Sequence, residues 1–237
     1  MFNKIVSTKH NYIAPNISND MSITTFGDLH YCSSFDDKRL NLLTEYLFNN
    51  DSKYLFIVGD IIDSTDFLHN DEKKENKDYL LNFLDKNLNY LDNLDNSKVK
   101  VLVCHSPIYM SDKDVIDRVK KYDFIFSGHM HNGMIPYPFD KIKGNTGIIA
   151  PNKSLFPDNA RGTKDINVGD KDIHLIINGG ITKLSECTNV LSKFNNIYKM
   201  NIDEIEINSK VKKLVKWHKT FNFFIIIVLI YFKDLSL

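Results

Sequence analysis

The chain lacks the features that mark several large classes of protein. Among 237 residues there are only three cysteines, Cys32, Cys104 and Cys187, an odd number at unrelated spacings. That argues against a disulfide framework and for a reducing compartment. Neither sign of charge is in excess, since 30 basic residues balance 30 acidic ones. No global field then draws the chain to nucleic acid or to an anionic membrane surface, and any phosphate-bearing substrate would have to be caught by a local site. The opening stretch MFNKIVSTKHNYIAPNISND has no apolar core of the kind a signal peptide needs. A cytoplasmic location is the expectation. A membrane-spanning helix wants roughly 20 apolar residues. The run FNFFIIIVLIYF, at 221–232, is twelve residues long and nearly all apolar.

What is present is a set of four apolar runs that end alike. SITTFGDLH ends on Asp28 and His30, and YLFIVGDIID ends on Asp60 and Asp63. VKVLVCHSP ends on His105, and DFIFSGHMH ends on His129 and His131. Each run is short, rich in Val, Ile and Phe, and shows little polar alternation, which predicts strands covered on both faces. Helix-like stretches lie between them at Asp36–Phe48, Lys77–Leu94 and Asp112–Lys121. Alternating strand and helix over this length predicts one sizeable α/β domain, and such domains bind ligands at the carboxyl ends of their strands.

Each ending has a bland reading of its own. GHMH fits a surface turn, GDIID fits a strand-to-helix turn with an aspartate capping the helix, and His105 fits a core histidine. Taken together, Asp28, His30, Asp60, His105, His129 and His131 form a metal-ligand set at matching positions. Residues i and i+2 at an extended strand end project to the same side, which applies to Asp28 with His30 and to His129 with His131. Six ligands exceed the needs of one tetrahedral ion, and a carboxylate can bridge, so two divalent metals are expected. Oxygen and nitrogen donors without thiolate suit manganese, iron or zinc.

These blocks, in this order, resemble the calcineurin-like metallophosphoesterase superfamily. Its pattern runs Asp-x-His, Gly-Asp-x-x-Asp, Gly-Asn-His, a lone His, and Gly-His-x-His. Here DLH, GDIID, CHSP and GHMH match over roughly residues 22–180, and NGGITKLSE (178–186) is similar to the family's late strand and turn. The resemblance implies an α/β fold in four layers, a β-sandwich flanked by helices. It implies that Asp28, His30 and His131 hold one metal, that His105 and His129 hold the other, and that Asp60 bridges them. Asp63 would orient ligands from behind. The implied reaction is hydrolysis of a phosphomonoester or phosphodiester by a metal-bound hydroxide that attacks phosphorus in line.

The Gly-Asn-His block is absent. It would supply an Asn ligand to the second metal and a His that assists the leaving group, so that metal is expected to bind weakly. A shortening by one strand–helix portion is the simplest account. The substitutes are His69-Asn70-Asp71 in a charged loop, Asn87 or Asn89 on the expected helix, and GNTG (144–147) in a glycine-rich loop that would shape the pocket. A catalytically impaired metal-binding relative is therefore the alternative to an active enzyme. Arg161 and Lys153 could contact phosphate, although solvated charges are the plainer reading. Cys104 reads as a small buried hydrophobe rather than a nucleophile.

The domain is expected to span 1–210, followed by a separable basic and apolar tail at 211–237. Within the tail, the stretch 215–232 fits an element packed on the domain, a weakly membrane-associated segment or a partner-binding one.

Overall fold

A computed structural model describes residues 5–15, 17–29, 37–60, 84–85, 93, 98–107, 113–135, 144–151, 154–181, 200–209 and 229–230. In chain order these form β1 (Ile5–Ile13), β2 (Met21–Gly27), α1 (Asp37–Phe48), β3 (Tyr54–Val58), β4 (Val101–Cys104) and α2 (Lys113–Val119). There follow β5 (Phe124–Ser127), a 3-10 turn at His131–Met134, β6 (Gly162–Asn167), β7 (Asp172–Ile177), β8 (Met200–Asn208) and β9 (Leu229–Ile230).

The strands make two mixed sheets, one in the order β1-β8-β2-β3 and one in the order β6-β7-β5-β4-β9. The runs at β4 and β5 show why they lack polar alternation. Val101 and Val103 face the first sheet, as do Phe124 and Phe126, in a core shared with Ile23 and Phe56. The residues between them, Leu102, Cys104 and Ile125, face the other way and pack against Val115 and Val119 of α2. The two-residue period is intact, but both faces are apolar because both are covered. On the outer face of the first sheet, Leu43 of α1 packs on Phe26, Met200 and Ile202. Helix, sheet, sheet and helix therefore stack in that order. Phe56 and Phe126 meet edge to face across the middle, with ring centroids 5.2 Å apart, a preferred aromatic geometry.

The expected helices at 36–48 and 112–121 are present as α1 and α2. The one expected over Lys77–Leu94 falls almost wholly outside the described residues, as do His69, Asn70, Asp71, Asn87 and Asn89. Within the apolar C-terminal run, Leu229 and Ile230 pair in parallel with Val103 and Cys104. Among the described residues no helix is long and apolar enough to cross a membrane.

This topology gathers the strand ends that matter. The register sets Gly27 of β2 opposite Val58 of β3 in one sheet. In the other it sets Val103 of β4 opposite Phe126 of β5. The residues that come next are Asp28 and Asp60 from the first sheet, and His105, His129 and His131 from the second.

Candidate metal centre

Asp28 leaves β2 fully buried, with no exposed surface, and in the left-handed backbone region at φ 48°. Asp60 follows Gly59 at the end of β3, with about a fifth of its side chain exposed (22%). His105 directly follows β4 and is buried, and His131 is buried in the turn after β5. His30 and Asp63 lie outside the described residues.

His105 stands between the two carboxylates. Its Nδ1 is 3.9 Å from Asp28 Oδ1, and its Nε2 is 3.7 Å from Asp60 Oδ2. Its ring meets that of His129 edge-on, with centroids 4.6 Å apart. The two sheets thus deliver four side chains to one small volume. His131 joins them beside Gly180: a methyl placed on that glycine would be 3.2 Å from Asp28 Oδ2 and 3.6 Å from His131 Nδ1.

Backbone strain falls on some of the same residues. His129 (φ 69°) and His131 (φ 44°) share the left-handed region with Asp28, as do Asn132, Met134, Phe156 and Asn159 outside the ligand set. Non-glycine residues seldom adopt it, at a cost of order 1 kcal/mol or more each, and such strain concentrates at functional sites. Three of the five described candidate ligands carry it.

Glycine makes room for the Asp28 carboxylate. A Cβ on Gly59, whose φ is +110°, would stand 2.2 Å from Asp28 Oδ1, and one on Gly128 would stand 3.2 Å from the same atom. With Gly180, these residues form a backbone cradle that any larger residue would fill. Burial pushes the Asp28 carboxyl up to about 8. Desolvation is the largest cause and the nearby Asp60 charge adds to it, whereas the backbone N–H groups of His129 and Asp60 pull the other way.

A carboxylate held dry, next to a second carboxylate and three imidazoles, is an environment that a divalent cation suits. The donors are oxygen and nitrogen, as manganese, iron or zinc prefer. Among the described residues no three donors are already drawn into a metal-binding group. The spacings say why. Two ligands bonded at about 2.1 Å and about 90–110° lie about 3.0–3.4 Å apart. His105 Nε2 and Asp60 Oδ2, the pair that would share an ion, are 3.7 Å apart, a few tenths of an ångström wider than that. This pair fits an ion with a small contraction.

Other sequence candidates fall into place as well. Cys104 faces away from the centre, with Sγ 3.2 Å from Ser127 Oγ. Burial pushes its thiol up to about 12, so it is the inert hydrophobe expected. In the GNTG loop, Asn145 donates to the carbonyls of Arg161 and Thr163 and so ties the loop to the start of β6. Gly147 packs on Gly133 in the turn that follows His131. Arg161 is not a solvated charge, because it is 7% exposed. Lys153 lies outside the described residues. Sequence reading missed the cradle: Gly59 and Gly128 stand in the Gly-Asp and Gly-His pairs, but nothing in a sequence shows that each clears space for a carboxylate on another strand.

No family model matches the chain, nor does any curated protein or solved structure.

Proposed function

We propose that the chain is a metal-dependent phosphoesterase of the calcineurin-like kind, acting in the cytoplasm on a phosphomonoester or phosphodiester. The observation that carries this reading is the convergence of Asp28, Asp60, His105 and His129 from the ends of four strands in two sheets, around a buried carboxylate in a glycine cradle. The helix–sheet–sheet–helix stacking agrees with the four-layer fold that the resemblance implies. Asp28, His30 and His131 would hold one divalent cation, His105 and His129 the other, with Asp60 between them and Asp63 behind. Such cations supply positive charge to the phosphoryl oxygens and acidify water at neutral pH. The chain's own part is to hold the donors rigid. Asp28 is buried against Gly59, Gly128 and Gly180, and Asp60 is the more exposed carboxylate.

No residue is assigned as the proton donor for the leaving group. General acid assistance is typically worth ~10²–10⁴ in rate, so activated aryl esters should turn over far better than alkyl esters. The test is metal analysis of the purified protein beside hydrolysis of an aryl phosphodiester with added manganese. We expect one tightly held ion, metal-stimulated aryl hydrolysis, and loss of activity in Asp60→Asn. Bound metal without hydrolysis would favour the second reading, an impaired metal-binding relative, which the missing Gly-Asn-His block supports. Protein that binds no metal in either assay would refute both.

A further inference from the structure

Beneath Asp28 the turn Asn178-Gly179-Gly180-Ile181 crosses from the second sheet to the first. Asn178 has no exposed surface. Its backbone N–H donates to the carbonyl of Ser127 at 2.8 Å, which keeps it beside the end of β5. Its side chain reaches into the other sheet. The amide oxygen accepts the N–H of Gly27 at 3.0 Å and that of Gly180 at 2.9 Å. The amide nitrogen donates to Asp203 Oδ2 at 2.8 Å, to the Asn201 carbonyl at 3.2 Å and to the Thr25 carbonyl at 3.3 Å. The N–H of Ile181 then donates to the carbonyl of Gly27 at 2.9 Å. Gly27, the residue that leads into Asp28, is thus gripped at both its N–H and its carbonyl by one turn.

The chemistry of the partners fixes the residue type. One end of the side chain meets only N–H donors, and the other meets only carbonyl and carboxylate acceptors. A primary amide satisfies both ends at once, and a carboxylate of the same shape satisfies only one. Asp203 is itself held, its other oxygen 2.9 Å from His10 Nε2, so the amide cannot turn over without losing its strongest partner.

We propose that Asn178 is a positioning residue of the metal centre, setting Asp28 of the first sheet against His131 of the second. The inference rests on the metal-centre reading given above. It assigns Asn178 to the Asp28 cation and not to the one held by His105 and His129. Those two donors project from β4 and β5, neighbours in one sheet, and Asp60, which would join them, follows β3, which none of the hydrogen bonds of Asn178 reaches. Groups that orient metal ligands from behind typically contribute 10–100-fold to metal affinity.

Manganese titration of the full-length protein, with folding checked by circular dichroism, tests this. Wild type should bind one ion tightly and a second weakly. Asn178→Ala should weaken the tight site by about tenfold or more and leave the weak one within about twofold. Asn178→Asp should weaken it further, because a second carboxylate then faces Asp203. Combining Asn178→Asp with Asp203→Asn restores a donor–acceptor pair in the opposite sense and should recover part of the affinity. A purely structural role would lower thermal stability without changing the ratio of the two affinities. If Asn178→Ala does not fold, Asp203→Ala alone, which removes the acceptor for the Asn178 amide, is the second arm and should weaken the tight site several-fold. Folded Asn178→Ala, or folded Asp203→Ala if that arm is needed, that binds manganese as wild type does would overturn the proposal and leave the metal centre standing. Wild type that binds no manganese would overturn the metal centre and this inference with it.

Discussion

Replacing Asp28 with asparagine should make the metal-free protein more stable and, under the proposed function, unable to hold a divalent cation tightly. Asp28 is completely buried, and burial lifts its carboxyl from the ordinary 3.8 to about 8. The folded state therefore keeps a proton that the unfolded chain releases. With a raised carboxyl the sign is fixed: stability from this group is full below about pH 3.8, declines as pH rises, and is gone above about pH 8. At pH 7 the interval from 3.8, at about 1.4 kcal/mol per pH unit, comes to on the order of 4 kcal/mol of destabilisation. Asparagine is near in shape to the neutral acid and cannot ionise. It keeps only one oxygen for the N–H groups of His129 and Asp60, so we expect a net gain of about 2–4 kcal/mol, since each such bond is worth about 1 kcal/mol. Urea unfolding with a chelator present, at pH 5, 7 and 9, measures it. The gap between Asp28→Asn and wild type should widen with pH and level off beyond about pH 8. Added manganese should narrow and then reverse the gap, because only wild type gains the stabilisation of a bound ligand, about 2.7 kcal/mol at a hundredfold excess over Kd and about 4.1 kcal/mol at a thousandfold excess. If metal-free Asp28→Asn is the less stable protein at pH 8, the carboxylate is already well solvated by its neighbours and the argument from burial is wrong.

Three further outcomes follow from other parts of the molecule. Gly59→Ala puts a methyl 2.2 Å from Asp28 Oδ1 at a φ of +110°; it should abolish tight metal binding and lower stability by at least ~1–3 kcal/mol, read by titration and thermal melting. Cys104, with its thiol pushed up to about 12, should resist iodoacetamide at pH 8 by about 10³-fold relative to an ordinary thiol and react once urea is added, as peptide mapping will show. Deletion after Asn208 removes Leu229 and Ile230 from the edge of β4; we expect metal content to persist and soluble yield to fall, because an unpaired apolar edge invites association.

The parts of the fold that the sequence discloses are those where a local pattern suffices. β2 to β5 are short apolar runs ending in chemically distinctive residues, and α1 has ordinary helical spacing. β8 was harder to see. It reads MNIDEIEIN, and its alternation is broken at Asp203, which turns inward to meet Asn178 and His10 rather than outward to water. β1 carries Ser7, Thr8, Lys9, His10 and Asn11 in succession, and its partner is β8, from Ile5 opposite Met200 to Ile13 opposite Asn208. No window of local sequence contains that pairing. The site divides in the same way. Aspartates and histidines announce themselves by type, whereas Asn178 and the glycines act through backbone contacts that exist only once distant strands have met.

The position of β8 between β1 and β2 also bears on how the protein is made. As the chain leaves the ribosome, β1, β2 and β3 appear early, but the first sheet lacks its second strand. At 5–20 residues per second, the roughly 140 residues from the end of β3 to the start of β8 take about 7–30 s. For that interval β1 has no neighbour in its sheet, β2 has an open side, and Asp203 is not yet present to hold Asn178. A nascent chain broken off after His131 but before β8 carries Asp28, Asp60, His105, His129 and His131 without the strand that squares them up. Metal capture would then distinguish finished chains from abandoned ones, while the open edges of the latter leave them to proteases.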